Sequence, residues 1–181
     1  MAAGTPLSRR ASFLAGLRDS IPIFVAVGAF GVVFGVVAAQ LGGPSWLPLA
    51  MSVIVISGAA QFAMLALWGT GMLPILVAVL GLSLRHLPMA VRLSDLIGPR
   101  TLRTRLGLSY VLTDETFGLA LAAGERGETD LVAYKAAADL TLWISWVGGT
   151  LVGAWAGAVV DPAAIGADVL FAVLFAVLFL S

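Results

Sequence analysis

Four ionisable side chains interrupt stretches of this sequence that are otherwise apolar. Arg85 and His86 lie in one such stretch, and Asp114 and Glu115 lie in the next. Charged groups within a bilayer are costly unless they pair or face a wet cavity. Arg85 and Asp114 have opposite charges and predict a structural ion pair, which leaves Glu115 for another task. His86, the single histidine of the chain, suits proton transfer near neutral pH, and the two acids are the other candidates for proton coupling.

The numbers of residues on either side of the connector predict that these two sets of side chains lie at the same depth in the membrane. Arg85 precedes Asp95 by ten residues, and Asp114 follows Arg105 by nine. At a rise of about 1.5 Å per residue, each set would be about 15 Å from the interface that the connector occupies. Two antiparallel helices would therefore bring them together. The alternative to a functional polar site is an ion pair that only fixes two helices.

A further polar group occurs in the sequence SGAAQF, at residues 57–62 of a long apolar stretch. Ser57 and Gln61 are four apart and share a helical face, and Gly58 tolerates unusual backbone angles. If the helix breaks here, Ser57 caps a half-helix whose free N–H groups and positive dipole end suit a substrate carboxylate. The alternative is an unbroken helix with Gln61 hydrogen-bonded to a neighbouring helix.

The composition is that of an integral membrane protein. Of the 181 residues, 60% are hydrophobic and 11% are charged, with a mean hydropathy of +1.05, whereas soluble domains are roughly 25% charged. A net charge of zero gives no bulk attraction to nucleic acid. The sequence has no cysteine and a single histidine, so no metal site is predicted. It also lacks a GxxxxGK[ST] nucleotide loop, and no cofactor is predicted.

Apolar segments of span length predict an all-α, polytopic membrane protein with about five or six transmembrane helices, organised as a single transporter domain over residues 1–181. The predicted segments are 20–41, 47–68, 72–94, 106–123, 131–160 and 164–180. The last segment ends abruptly, which predicts a chain truncated at its C-terminus. In the fifth segment, Asp139 precedes an aromatic run that contains Trp143 and Trp146. These three residues are predicted to lie at a membrane interface.

Two arginine clusters, at residues 9–18 and 100–105, are both predicted to be cytoplasmic by the positive-inside rule. Three predicted segments separate them, and an odd number of crossings does not return the chain to the same side. Either residues 47–68 form a re-entrant hairpin that breaks near Ser57–Gln61, or the third segment ends near Leu84 and is too short to cross.

Small residues recur at intervals of four in GAFGVVFGVVAAQLG, residues 28–42, and in GGTLVGAWAG, residues 148–157. Such spacing lets helix backbones approach closely in lipid. The second interpretation is that the two stretches mark matching helices of inverted repeats. The glycines predicted to mediate helix packing are Gly31, Gly35, Gly149 and Gly153.

With these motifs in view, the chain resembles the AzlC family, the large subunits of bacterial branched-chain amino acid exporters. The resemblance rests on IPIFVAVGAFGVVFGVVAAQLG, ISGAAQFAMLALWGTG, LRHLPMA, TDETFGLA and WVGGTLVG, in that order. It implies a small AzlD-like membrane subunit as partner, an amino-acid substrate, and a multi-pass location in the bacterial inner membrane. Family members are longer and commonly have an asparagine before the arginine–histidine pair, where this chain has Ser83 and Leu84.

These features together predict a secondary transporter subunit, and not an enzyme, that exports branched-chain or similar apolar amino acids with proton coupling. The segment from Ser57 to Gln61 would bind the substrate carboxylate, and Asp114 or Glu115 the ammonium group or a proton. The alternatives are a passive channel or uniporter, an intramembrane acid–base enzyme, and a structural subunit whose charges only pair helices. The predicted substrate-binding residues are Ser57, Gly58, Ala59, Gln61, Phe62, Met64, Leu65, Asp114 and Glu115.

Overall fold

The computed structural model describes residues 8–128 and 130–159, and this part of the chain is entirely helical, as predicted. Its nine helices are α1 (Arg9–Asp19), α2 (Ile21–Ala39), α3 (Leu47–Ile54), α4 (Gly58–Ala66), α5 (Met72–Ser83), α6 (His86–Ile97), α7 (Leu102–Tyr110), α8 (Asp114–Glu125) and α9 (Leu131–Gly157). The predicted segment 164–180 lies outside the described residues.

The chain divides into two compact units. Of the described residues, unit 1 joins 8–26 to 84–128 and 130–144, and unit 2 joins Val27–Ser83 to 145–159. The single transporter domain over residues 1–181 stays a prediction.

Two stretches of the described chain are long and apolar enough to cross a membrane by length and composition. They are Ile21–Ala39 and Met72–Ile97. The first corresponds to the predicted segment 20–41, and α9 corresponds to the predicted segment 131–160. The total of five or six crossings stays a prediction.

The second predicted segment is broken, as the SGAAQF motif suggested. Helix α3 ends at Ile54, Val55 adopts an extended conformation, and α4 begins at Gly58. The Ser57 hydroxyl caps α4 by accepting a hydrogen bond from the N–H of Ala60 at 3.4 Å. Because β-branched residues lose side-chain freedom in a helix and a serine cap follows them, the run from Val53 to Ser57 favours this break.

The third predicted segment is also interrupted, at the turn of Leu84 and Arg85 between α5 and α6. Pro88 has no N–H to donate to the carbonyl of Leu84. The N–H of Leu87 bonds that carbonyl instead, at 3.1 Å, in a tighter turn. The sequence pattern had placed a continuous helix here as far as Ser94, so the proline explains the difference.

The fourth predicted segment starts earlier in the structure than expected, and it is broken in its middle. A cap at Thr101 starts α7 inside the basic connector, so Arg103 and Arg105 are helical. Helix α7 then stops at Tyr110, and α8 begins at Asp114. Sequence hydropathy cannot locate this second break, because Val111 and Leu112 are as apolar as the helices that flank them.

In unit 2, an aromatic cluster forms the core between α2, α4 and the C-terminal part of α9. Phe34 and Phe62 contact edge to face at 5.8 Å between ring centroids, and Trp146 lies 5.8 Å from Phe34 and 6.2 Å from Phe62. Met51 and Leu65 complete the cluster. This core anchors both α3 and α4, so the break between them is held from each side.

The four packing glycines lie where α2 crosses α9 within unit 2. A Cβ on Gly31 would be 2.7 Å from the carbonyl oxygen of Trp146, and one on Gly35 would overlap the carbonyl of Thr150. Reciprocally, a Cβ on Gly153 would overlap the carbonyl of Val32, and one on Gly149 that of Gly28. The two helix backbones are therefore in direct contact.

In unit 1, a second apolar core joins α6, α7 and α8 through Leu93, Ile97, Leu108, Leu112 and Ala120. Helix α1 is fixed at its C-terminal end, where the Asp19 carboxylate accepts hydrogen bonds from the Arg126 guanidinium and the Tyr134 hydroxyl, each at 2.8 Å.

Candidate functional site

The break between α3 and α4 is organised by the buried amide of Gln61. Its amide nitrogen donates a hydrogen bond to the carbonyl of Val55, the residue that follows the end of α3. Its oxygen accepts from the hydroxyl of Ser52 and from the indole N–H of Trp146, both at 3.2 Å. Gln61 is fully buried. Its bond to the carbonyl of Val55 takes the place of the helical hydrogen bond that this carbonyl loses at the break.

Ser52 extends this network to α9, since its hydroxyl lies 2.8 Å from that of Thr150. The Thr150 hydroxyl in turn donates to the carbonyl of Trp146 at 2.9 Å. Ser52, Trp146 and Thr150 all belong to unit 2. Ser52 therefore links Gln61 of α4 to Thr150 of α9.

Trp146, which was predicted to lie at a membrane interface, is part of the core of unit 2. Its ring packs in the core against Phe34 and Phe62 and lies next to the first residue of α4, where a Cβ on Gly58 would be 3.1 Å from the ring. A side chain at position 58 would require this ring to shift by a few tenths of an ångström. Trp146 thus covers one side of the N-terminus of α4.

The first turn of α4 presents backbone donors that have no acceptor within the helix. The first N–H groups of any helix lack such partners, and Ser57 satisfies that of Ala60. The N–H groups of Gly58 and Ala59 are the remaining donors of this turn. They lie beside an apolar environment, because Phe62 and Leu65 are buried in the core and Met64 is half-buried against it.

Helix α8 starts in the same way as α4, after a three-residue interruption that ends in a hydroxyl residue. The Thr113 hydroxyl accepts from the N–H of Thr116 at 3.3 Å, and the Thr116 hydroxyl accepts from the N–H of Thr113 at 3.4 Å, which forms a capping box. Asp114 and Glu115 are the first two residues of α8, where negative charge is favoured by the helix dipole. Each of the two units therefore contains one broken segment.

The structure joins Arg85 to Asp114 through a salt bridge of 3.0 Å. The side chains are 40% and 50% exposed in the isolated chain, so their pairing alone contributes little to stability. His86 begins α6 directly after Arg85 and is half-buried, while Glu115 is exposed. Arg85 and Asp114 thus meet in unit 1, and the substrate and proton roles assigned to these four residues stay predictions.

Sequence reasoning missed a fully buried ion pair on α9. The ammonium of Lys135 lies 2.7 and 2.6 Å from the two carboxylate oxygens of Asp139, and the two residues are 0% and 4% exposed. Asp139, which was predicted to lie at a membrane interface, is therefore a buried partner of Lys135. The available signal was the spacing: a lysine and an aspartate four apart share a helical face. Among the described residues, no three His, Asp or Glu side chains converge on a metal site.

Comparison with known proteins places these features in a family. The family model for the AzlC protein matches residues 22–160. An uncharacterized membrane protein of Archaeoglobus fulgidus is 31% identical over 152 residues, covering 83% of this chain and 65% of the relative. The inner membrane protein YgaZ of Escherichia coli K12 is 30% identical over 156 residues, covering 84% of this chain and 64% of the relative.

The branched-chain amino acid transport protein AzlC of Bacillus subtilis 168 is 25% identical over 185 residues, covering 99% of this chain and 72% of the relative. No solved structure matches. The chain thus spans slightly less than two thirds of the length of the first two relatives. With the family model matched over both broken helices and the glycine crossing, the chain belongs to the AzlC family of membrane proteins.

Proposed function

We propose that this chain is a subunit of a secondary transporter that exports branched-chain or similar apolar amino acids in exchange for protons, together with a small AzlD-like membrane subunit. The relative named as a branched-chain amino acid transport protein supports the substrate class. The observation that carries the proposal is the broken segment α3–α4, whose capped N-terminus offers donors beside buried apolar side chains. Discontinuous helices with this arrangement bind anionic substrate groups in transporters.

In this proposal, residues 47–68 enter the membrane and return without crossing it. The arms α3 and α4 contain eight and nine residues, so at a rise of about 1.5 Å per residue each reaches 12 to 14 Å, close to the middle of the bilayer. The N–H groups of Gly58 and Ala59 bind the substrate carboxylate. Gln61 acts by holding the break open, since its own polar atoms are occupied. The N-terminus and the connector at 98–101 lie in the cytoplasm.

The test is export of labelled valine, leucine, isoleucine and methionine from preloaded cells. The cells express the full-length protein with or without a small AzlD-like membrane protein, and each condition is repeated with a protonophore. We expect export that needs both proteins and collapses when the proton gradient is removed. Export that is unaffected by the protonophore would indicate a passive uniporter, and the absence of export despite good expression would contradict the proposal.

Asp114 gives a sharper test of the polar site that it forms with Arg85. Because this ion pair is half-exposed, removing it should affect stability little. Asp114→Asn should change the free energy of unfolding by less than about 1 kcal/mol, yet lower export by about tenfold or more if the carboxylate binds the substrate ammonium group or a proton. Thermal unfolding in detergent and the export assay measure the two effects separately.

The matched variant exchanges the two charges, with Arg85→Asp and Asp114→Arg in one protein. It retains an ion pair but moves the carboxylate to α6. We expect near wild-type unfolding and little export. If the exchanged pair exports as well as the wild type, Arg85 and Asp114 only fix two helices.

A further inference from the structure

The buried pair of Lys135 and Asp139 lies at the break between α7 and α8. The Lys135 ammonium donates to the carbonyl of Leu108 at 3.3 Å, in the last turn of α7. That carbonyl is available because α7 ends at Tyr110 and the N–H of Leu112 bonds Ser109 instead, at 3.3 Å. A cation at the C-terminal end of a helix is favoured by its dipole, so Lys135 stabilises the end of α7.

Asp139 contacts the other side of the same break. The polar side chain of α8 that acts on its carboxylate is that of Thr116, the residue that completes the capping box of α8. The pair thus joins the last turn of α7 to the first turn of α8. Through Thr116 and the Thr113 cap, Asp139 is linked to the helix start that carries Asp114.

A buried ion pair of this kind is an expensive way to hold helices together. Removing two charges from water costs several kcal/mol per ion, and a well-packed apolar pair is often as stable or more so. Packing alone therefore does not account for two charged groups that are almost fully buried at a helix break. Ionisable groups inside membrane proteins commonly mark ion and proton paths, and the broken ends of transporter helices commonly bind the coupling ion.

We propose that Asp139, paired with Lys135, is the group that takes up and releases the coupling proton, and that the α7–α8 break opens and closes around it. This inference rests on the proposed transport function. When the break opens to water on one side, an Asp139 oxygen bonds one proton from water and the charge of the pair changes from zero to +1. The ammonium keeps its three protons and its contact with Leu108. When the break opens to the other side, the same O–H bond breaks and the proton returns to water.

The surroundings of Asp139 are consistent with a carrier that is closed off between these steps. In the described part of the chain, the groups that act on its carboxylate are the Lys135 ammonium and the Thr116 side chain. Lys135 is 0% exposed and Asp139 is 4% exposed. In this inference, proton exchange with water requires α7 and α8 to move apart, which ties proton transfer to a change at the break.

The experiment compares the wild-type protein with Asp139→Asn and with the double variant Lys135→Met, Asp139→Leu, all as full-length proteins co-expressed with the small partner subunit. The double variant replaces the pair by apolar side chains and is expected to insert and fold. We expect export of labelled valine to fall by about tenfold or more in both variants. The remaining export should no longer respond to a protonophore or to external pH.

The control is Asp19→Asn, which breaks the half-exposed pair with Arg126 in the same unit and should retain both export and its response to pH. Infrared difference spectra provide a readout that needs no substrate. Purified wild-type protein should show a protonated carboxyl band that grows as the pH falls, is absent in Asp139→Asn or the double variant, and changes position in Asp139→Glu.

The outcomes separate this inference from the proposed function. If wild-type cells export none of the four amino acids but the band is present and belongs to Asp139, the transport proposal fails and the proton site stands. If a folded double variant exports with full protonophore sensitivity, or if no titrating band belongs to Asp139, the pair is structural and the inference is overturned.

Discussion

Gly153→Val is expected to abolish the folded protein. A Cβ at this position would overlap the backbone carbonyl of Val32 on α2, and a backbone atom in a packed helix cannot move aside as a flexible side chain can. The cost should exceed the roughly 1–3 kcal/mol of ordinary overpacking, because two helices must separate along their contact. The yield of monodisperse protein and its thermal unfolding, followed by tryptophan fluorescence, measure the effect.

Gly148→Val is the matched control, with the same substitution on the same helix. A Cβ on Gly148 meets no atom within 4 Å, so we expect a change of about 1 kcal/mol or less, as for helix propensity alone. If Gly153→Val folds as well as Gly148→Val, α2 and α9 do not cross in the way described.

Gln61→Leu is expected to have the second large effect, on both stability and export. It leaves the carbonyl of Val55 and the indole N–H of Trp146 without their partner, at a cost of about 1–3 kcal/mol for each buried group. Export should be lost with the geometry of the break. Unfolding in detergent and the export of labelled valine are the measurements.

Gln61→Glu keeps the acceptor but removes the donor. It places an unpaired carboxylate in a fully buried position against the carbonyl of Val55, so we expect a loss of stability at least as large as that of Gln61→Leu. Gln40→Leu, an exposed glutamine at the end of α2, should be within about 0.5 kcal/mol of wild type. A Gln61→Leu protein as stable as Gln40→Leu would show that the amide does not hold the break.

Much of the helical framework could be predicted from local sequence. The α3–α4 break follows from a hydroxyl cap within a β-branched run, and the glycine crossing from small residues spaced by four. The pairing of Arg85 with Asp114 follows from complementary charges at matched distances from a shared connector. Each of these signals is local, or depends on a chain length that can be counted.

The contacts between segments could not be predicted in this way. Asp139 was expected at an interface because it precedes an aromatic run, and Trp146 because it belongs to that run, but neither pattern indicates the buried partners that the structure gives them. The Lys135 side chain shields Asp139, and Gln61 and the ring of Phe62 surround Trp146. The end of α7 could not be located because Val111 and Leu112 are apolar, and the group that bonds its last turn, Lys135, is distant in sequence.

The most direct test of the central claim is whether the α3–α4 break opens to water and binds an amino acid. The sequence has no cysteine, so Ile56→Cys, within the break, can be labelled selectively with a membrane-impermeant thiol reagent in membranes accessible from either side. Leu73→Cys on the exposed face of α5 is the lipid-facing control. We expect that Ile56→Cys reacts, that valine or leucine slows its labelling and glutamate does not, and that Leu73→Cys is unaffected by any of them. Labelling of Ile56→Cys that is absent, or that no amino acid changes, would contradict the account.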